Sequence, residues 1–116
     1  MYNFKTIDQA KLDYVAVGSV EELKDGDRLF VDIDGKPVVV LKIAGQYYAI
    51  ADVCSHDEGP VGEGEIEGFE IICPRHGARF DIRSGRVLAL PAFVDIPAYP
   101  VRIVGDQIEL GLPLEE

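Results

Sequence analysis

The protein has two cysteines and two histidines, and all four fall between positions 54 and 76. They read Cys54-Ser55-His56 and, after the sixteen residues 57–72, Cys73-Pro74-Arg75-His76. Two thiols and two imidazoles are a full set of four metal ligands with none left over. Three arrangements of these donors are open. Cys54 and Cys73 could form a disulfide beside two unrelated histidines, although disulfides are rare in reducing compartments. The four could hold a structural zinc ion. Zinc fingers, however, group Cys with Cys and His with His, in C-x2–4-C and H-x3–5-H spacings, whereas each pair here supplies one of each kind. Loops that mix ligand types can instead assemble a binuclear iron centre, in which one iron takes both thiolates and the other both imidazoles.

Each ligand pair must be delivered by the elements around it. Gln46–Ala51 (QYYAIA) is a strand-like run leading directly to Cys54. Residues 65–72 alternate apolar and polar around Gly68, which predicts a hairpin ending at Cys73. Each pair therefore follows a strand, and two such loops at one end of a sheet can face each other across a shared metal centre.

The rest of the chain reads as scaffold of the same kind. Residues 1–13 are weakly patterned, a loose arm or short helical piece, and Asp13–Val17 is a first strand. Ser19-Val20-Glu21-Glu22 has the spacing of a capping box and predicts one helical turn. Arg28–Ile33, Pro37–Ile43 and Gln46–Ala51, punctuated by Asp34-Gly35 and Ala44-Gly45, predict an antiparallel meander. Beyond His76, Ala78–Ile82 and Arg86–Leu90 flank Ser84-Gly85, and Pro100–Val104 and Gln107–Leu110 flank Gly105-Asp106. Pro97 and Pro100 confine the stretch between them to a sheet edge or a connector. Eight to ten short strands are expected, hence an all-β sandwich or small barrel. Tyr47, Tyr48 and Phe93 read as core packing, with shielding of the metal centre as the alternative. Gly59, Gly62, Gly64 and Gly77 read as places where the backbone approaches the metal centre. Arg75 and Arg79 beside His76 read as scaffold ion pairs, with tuning of the centre or orientation of a partner as the alternative.

Composition narrows the function. A chain of 116 residues is one domain, residues 1–116, and 47% hydrophobic residues suffice for a core. A net charge of −10 argues against nucleic acid and anionic membranes, and would steer the protein toward a basic docking patch. Residues 1–13 contain no signal-peptide h-region, and the longest apolar run, Val38-Val39-Val40-Leu41, is strand length. A cytoplasmic location is expected.

Cys54-Ser55-His56 and Cys73-Pro74-Arg75-His76-Gly77 resemble the two cluster loops of Rieske [2Fe–2S] proteins, and Pro91 resembles the proline-bearing third loop that covers the cluster. The resemblance runs over nearly all of the chain after about residue 13. It implies a Rieske-type antiparallel β-sandwich of three sheets, with a small cluster-binding subdomain at about residues 51–93. It also implies one [2Fe–2S] cluster per chain, with Cys54 and Cys73 on the buried iron and His56 and His76 on the outer one. Replacing two thiolates by imidazoles removes two negative charges and raises the potential into a range of roughly −150 to +300 mV.

The subfamily can be narrowed too. Rieske subunits of respiratory complexes carry an extra cysteine in each cluster loop, and hydroxyl side chains at the positions matching Ala78 and Phe80. This chain has neither, and acidic Asp57 and Glu58 adjoin the first loop, so a potential at the low end of that range is expected. The chain resembles a bacterial Rieske-type ferredoxin. That implies a soluble one-electron carrier between a flavin-dependent ferredoxin reductase and a terminal Rieske oxygenase, most commonly an aromatic-ring dioxygenase, and not an enzyme by itself. A mononuclear iron site would need two more histidines and a carboxylate. Alternatives are the small Rieske-fold subunit of a nitrite reductase, a cluster-based sensor, and a structural Cys2His2 zinc module.

Overall fold

A computed structural model describes residues 12–113. Residues 1–11, most of the arm expected above, lie outside the described residues. The chain is all-β, with eleven strands among the described residues. They are β1 (Leu12–Ser19), β2 (Arg28–Ile33), β3 (Lys36–Ile43), β4 (Gln46–Ala51), β5 (Glu65–Glu67), β6 (Glu70–Ile72), β7 (Arg79–Asp81), β8 (Val87–Ala89), β9 (Ala98–Tyr99), β10 (Val101–Val104) and β11 (Gln107–Pro113). The number exceeds the expected eight to ten because the stretch between Pro97 and Pro100 forms the two-residue strand β9. It pairs only with the edge of β4, as two prolines lacking N–H donors allow.

The strands make three antiparallel sheets, ordered β1-β11-β10, β2-β3-β4-β9 and β5-β6-β7-β8. The capping box is present. Ser19 N–H donates to Glu22 Oε1 at 2.8 Å, and the Ser19 hydroxyl accepts from Glu21 N–H, over a single 3-10 turn at Val20–Glu22. Both meander turns have two left-handed central residues, at Asp34-Gly35 and Ala44-Gly45, the backbone that suits tight hairpins.

The meander is the middle layer. Along β3, Val38 and Val40 face one core with Ala49, Ile108 and Leu110, while Val39 and Leu41 face a second core with Ile50, Ile71 and Phe80. This explains why Val38–Leu41 is continuously apolar, since a strand covered on both faces has no solvent side to alternate with. The second core includes Cys54 and Cys73. The thiols are therefore part of the packing that joins the small sheet to the meander.

Two polar anchors fix the stretch that enters β5. Arg28 Nη1 donates to the carbonyls of Gly62 and Gly64 at 2.6 and 2.7 Å. Asp52 Oδ1 accepts from Val61 N–H and Gly62 N–H at 3.0 and 2.6 Å. A side chain at Gly64 would place its Cβ 1.8 Å from the Ile72 carbonyl oxygen. Gly64 is thus required for backbone packing under the second hairpin, and its N–H donates to the Val61 carbonyl at 2.9 Å.

Candidate metal centre

Cys54 and Cys73 open two loops with the same backbone pattern. In the first, Cys54 N–H donates to the Gly59 carbonyl at 2.7 Å, and the Cys54 carbonyl accepts from Glu58 N–H at 2.6 Å. In the second, Cys73 N–H donates to the Ala78 carbonyl at 2.7 Å, and the Cys73 carbonyl accepts from Gly77 N–H at 3.0 Å. The residue four places after each cysteine is left-handed, with φ of 62° at Glu58 and 80° at Gly77. The two loops are one structural motif used twice. The sequence hides this, because Glu58 stands where the second loop has the expected glycine and the histidines sit at different offsets.

The pairing separates the ligands by type. Cys54 and Cys73 are buried, free thiols in the same core cluster. Burial, with Cys73 beside it, leaves the Cys54 thiol above its ordinary value, and the backbone N–H groups of His56 and Asp57 directed at it oppose that rise only in part. His56 and His76 lie outside on the same end of the molecule, exposed, with ring centroids 5.0 Å apart and planes at 81°. Among the described residues, the donors that all lie within 4.8 Å of one another are those of His56, Asp57 and His76, with neither cysteine among them. A single tetrahedral zinc ion would draw two thiols and two imidazoles to one point. An inner thiol pair beneath an outer imidazole pair instead suits two metal centres at different depths, and N–H groups aimed at sulfur suit bound thiolate.

The third loop, which follows Pro91, lies beside the first ligand loop, and Val94, Asp95 and Ile96 line one pocket with Cys54 and Ser55. The Ser55 hydroxyl donates to the Val94 carbonyl, tying the first ligand loop to the third loop. Val87 N–H donates to Asp95 Oδ1 at 2.9 Å, and Ile96 N–H donates to the Gly85 carbonyl at 2.8 Å. Ala92 from this loop is buried in the second core. Phe93, expected in the core, is instead 80% exposed, beside Leu90 at 66% and Val94 at 46%. Tyr48 packs against the second core and Tyr47 against the first, as expected.

Arg75 crosses between the ligand loops. Its Nε and Nη2 reach Asp57 Oδ2 and Oδ1 at 2.7 and 2.8 Å, and Nη1 donates to the Pro60 carbonyl. This fork, helped by the Gly59 N–H, holds the Asp57 carboxyl far below the usual carboxylate range. Gly59 again serves packing, since a Cβ there would lie 2.8 Å from the guanidinium carbon. Gly62 would likewise meet the Phe30 ring at 2.6 Å. Arg79 pairs with Glu67 and Glu70, both at 3.1 Å. Both arginines therefore make the scaffold ion pairs expected of them. The Asp57 charge is matched by Arg75, which removes it as a simple cause of a low potential. Ala78 and Phe80 are fully buried and offer no hydroxyl.

Comparison with known proteins agrees with this geometry. The family model described as "Rieske [2Fe-2S] domain" matches residues 13–100. The chain is 37% identical over 91 residues to the ferredoxin component of the naphthalene 1,2-dioxygenase system of Pseudomonas aeruginosa, covering 78% of this chain and 88% of that protein. It is 38% identical over 96 residues to the 3-phenylpropionate/cinnamic acid dioxygenase ferredoxin subunit of Escherichia coli, covering 81% and 89%. The solved ferredoxin of carbazole 1,9a-dioxygenase from Nocardioides aromaticivorans superposes with a TM-score of 0.78 at 36% identity, covering 84% of this chain and 95% of that one. Among the described residues, no helix is long and apolar enough to cross a membrane. The matched loops, the three-sheet fold and these relatives lead to one assignment: the chain belongs to the Rieske [2Fe-2S] domain family, whose cofactor is a Rieske-type [2Fe–2S] cluster.

Proposed function

We propose that this chain is a one-electron carrier of a multicomponent oxygenase, without catalytic activity of its own. In this reading it passes electrons from a flavin-dependent ferredoxin reductase to a terminal Rieske oxygenase of an aromatic-ring dioxygenase system, in the cytoplasm. Cys54 and Cys73 hold the inner iron, His56 and His76 hold the outer iron, and residues 51–93 form the cluster-binding subdomain. The observation that carries the proposal is the sorting of ligands by depth: a buried thiol pair beneath an exposed imidazole pair on two matching loops. The dioxygenase ferredoxins among its relatives supply the setting.

When bound, the cluster takes up and gives back one electron. The chain contributes the rest. The second core keeps water from the thiols, and the N–H groups of His56 and Asp57 stabilise thiolate at Cys54. The exposed imidazoles offer the shortest path to a partner. Leu90, Phe93 and Val94 form an apolar contact on the third loop, which is tied to Ser55 next to His56. Large exposed apolar side chains of this kind mark protein contacts.

The test is turnover reconstituted with the reductase and terminal oxygenase of an aromatic-ring dioxygenase system, in which product formation must depend on the chain. Phe93→Ser is expected to weaken docking by on the order of 1–2 kcal/mol, a roughly 5- to 30-fold rise in the KM for the ferredoxin. The visible spectrum should be unchanged. Turnover indifferent to the presence of the chain would contradict the carrier role.

A further inference from the structure

Arg75 reaches from the second ligand loop onto the first and holds it at three points. The guanidinium fork grips both Asp57 oxygens, Nη1 takes the Pro60 carbonyl, and the plane of the group lies against Gly59, where no side chain intervenes. Asp57 is fixed from its other side by Gly59 N–H at 3.0 Å, and its Oδ2 stands 3.8 Å from His76 Nδ1. The first loop, which carries Cys54 and His56, is thereby clasped by a residue adjoining His76. We propose that Arg75 and Asp57 form a latch that fixes the two ligand loops against each other, and that their opposed charges set the reduction potential of the bound cluster. The inference rests on the ligand assignment proposed above.

Isolated surface ion pairs contribute little, because two long side chains must be ordered against water and salt. This pair differs in kind. Its geometry is bidentate, the arrangement in which Arg is strongest and most directional. It also adds the Pro60 carbonyl, so that loosening Arg75 removes all of its side-chain ties to the 57–60 stretch and leaves the first loop held by its own backbone bonds. The two charges act on the site in opposite senses. Arg75 stands between Cys73 and His76 on the second loop and reaches across to the first, while the Asp57 carboxylate faces the imidazole side, 3.8 Å from His76 Nδ1. Reduction adds one negative charge to the cluster, so a nearby cation raises the potential and a nearby anion lowers it. With the pair intact, the two contributions offset each other.

The test compares Arg75→Gln, Asp57→Asn, Arg75→Lys and the double variant R75Q/D57N in the cluster-loaded protein. Two readouts are taken: the reduction potential, and the rate at which a chelator bleaches the visible absorbance. R75Q should shift the potential downward and D57N upward, with the double variant returning toward the parent value. All four should bleach several-fold faster than the parent. R75K retains the charge and loses the fork, so its potential should stay near the parent while its bleaching accelerates. Shifts of the same sign in R75Q and D57N, or no shift in either, would overturn the electrostatic half. Unchanged bleaching in R75K would overturn the latch. A purely structural pair could accelerate bleaching but could not give potential shifts of opposite sign. If the parent protein binds no cluster with mixed His/Cys ligation, the ligand assignment fails first and the inference falls with it. If the parent binds one and the variants do not respond, the inference alone is overturned.

Discussion

Cys73→Ser is expected to abolish cluster binding, taking iron from two atoms per chain in the parent to essentially none, with loss of the visible absorbance. Cys73 is 2% exposed and its own N–H and C=O are both engaged within its loop. The substitution therefore changes one atom and leaves the loop closed. A thiol can reach the thiolate state that binds metal at ordinary pH, because its unperturbed pKa lies near 8.5. A serine hydroxyl has no comparable acidity, and it is a hard ligand offered to an iron suited to soft sulfur. The one other cysteine, Cys54, is already a proposed ligand, so none is left to substitute for Cys73. The apoprotein should remain folded, because serine is close to cysteine in size. It should be weakened by on the order of 1–3 kcal/mol through a hydroxyl buried among apolar neighbours. Iron analysis and the visible spectrum of the purified variant check this directly. Full iron content in Cys73→Ser would exclude Cys73 as a ligand.

The largest effect on stability is expected at Phe80, a residue without a polar atom in its side chain. Phe80 is fully buried in the middle of the small sheet, paired with Ile71 on β6 and Val87 on β8. It shares the second core with Cys54, Cys73 and Ile50. Truncating it to alanine removes a large apolar side chain and leaves a cavity beneath both ligand loops. Such changes cost about 3–5 kcal/mol. Whole domains of this size are stable by about 5–15 kcal/mol, so the apparent Tm should fall by on the order of 10–20 °C. Because the cavity opens behind the thiols, cluster loss should precede or accompany unfolding. Phe93→Ser, on the exposed third loop, should leave the Tm nearly unchanged. A Tm loss in Phe80→Ala of only a degree or two, measured by circular dichroism on loaded protein, would contradict this account of the core.

The donor set and the strands that deliver it could be read from the sequence because both depend on local signals. The meander follows from β-branched runs punctuated by Asp34-Gly35 and Ala44-Gly45. The second hairpin follows from alternation around Gly68. What could not be read depends on contacts between distant residues. Nothing near Gly64 announces that Ile72 will lie against it, and nothing near Arg28 announces that it will bind the carbonyls of Gly62 and Gly64. Phe93 looks like core from its residue type alone. Its exposure follows from the loop turning Ala92 inward instead. The likeness of the two ligand loops was hidden because Glu58 adopts a left-handed backbone that sequence reasoning assigns to glycine. Arg75 could be read as a scaffold ion pair, but the three-point grip on the first loop emerges only once both loops are in place.

The central claim, two thiolates and two imidazoles on one binuclear cluster, is tested most directly by an EPR spectrum of the purified protein reduced anaerobically with dithionite. The account predicts a rhombic signal integrating to one spin per chain, with an average g below that of all-cysteine [2Fe–2S] clusters. A colourless, EPR-silent protein containing zinc would contradict it, and so would a signal of the all-cysteine type.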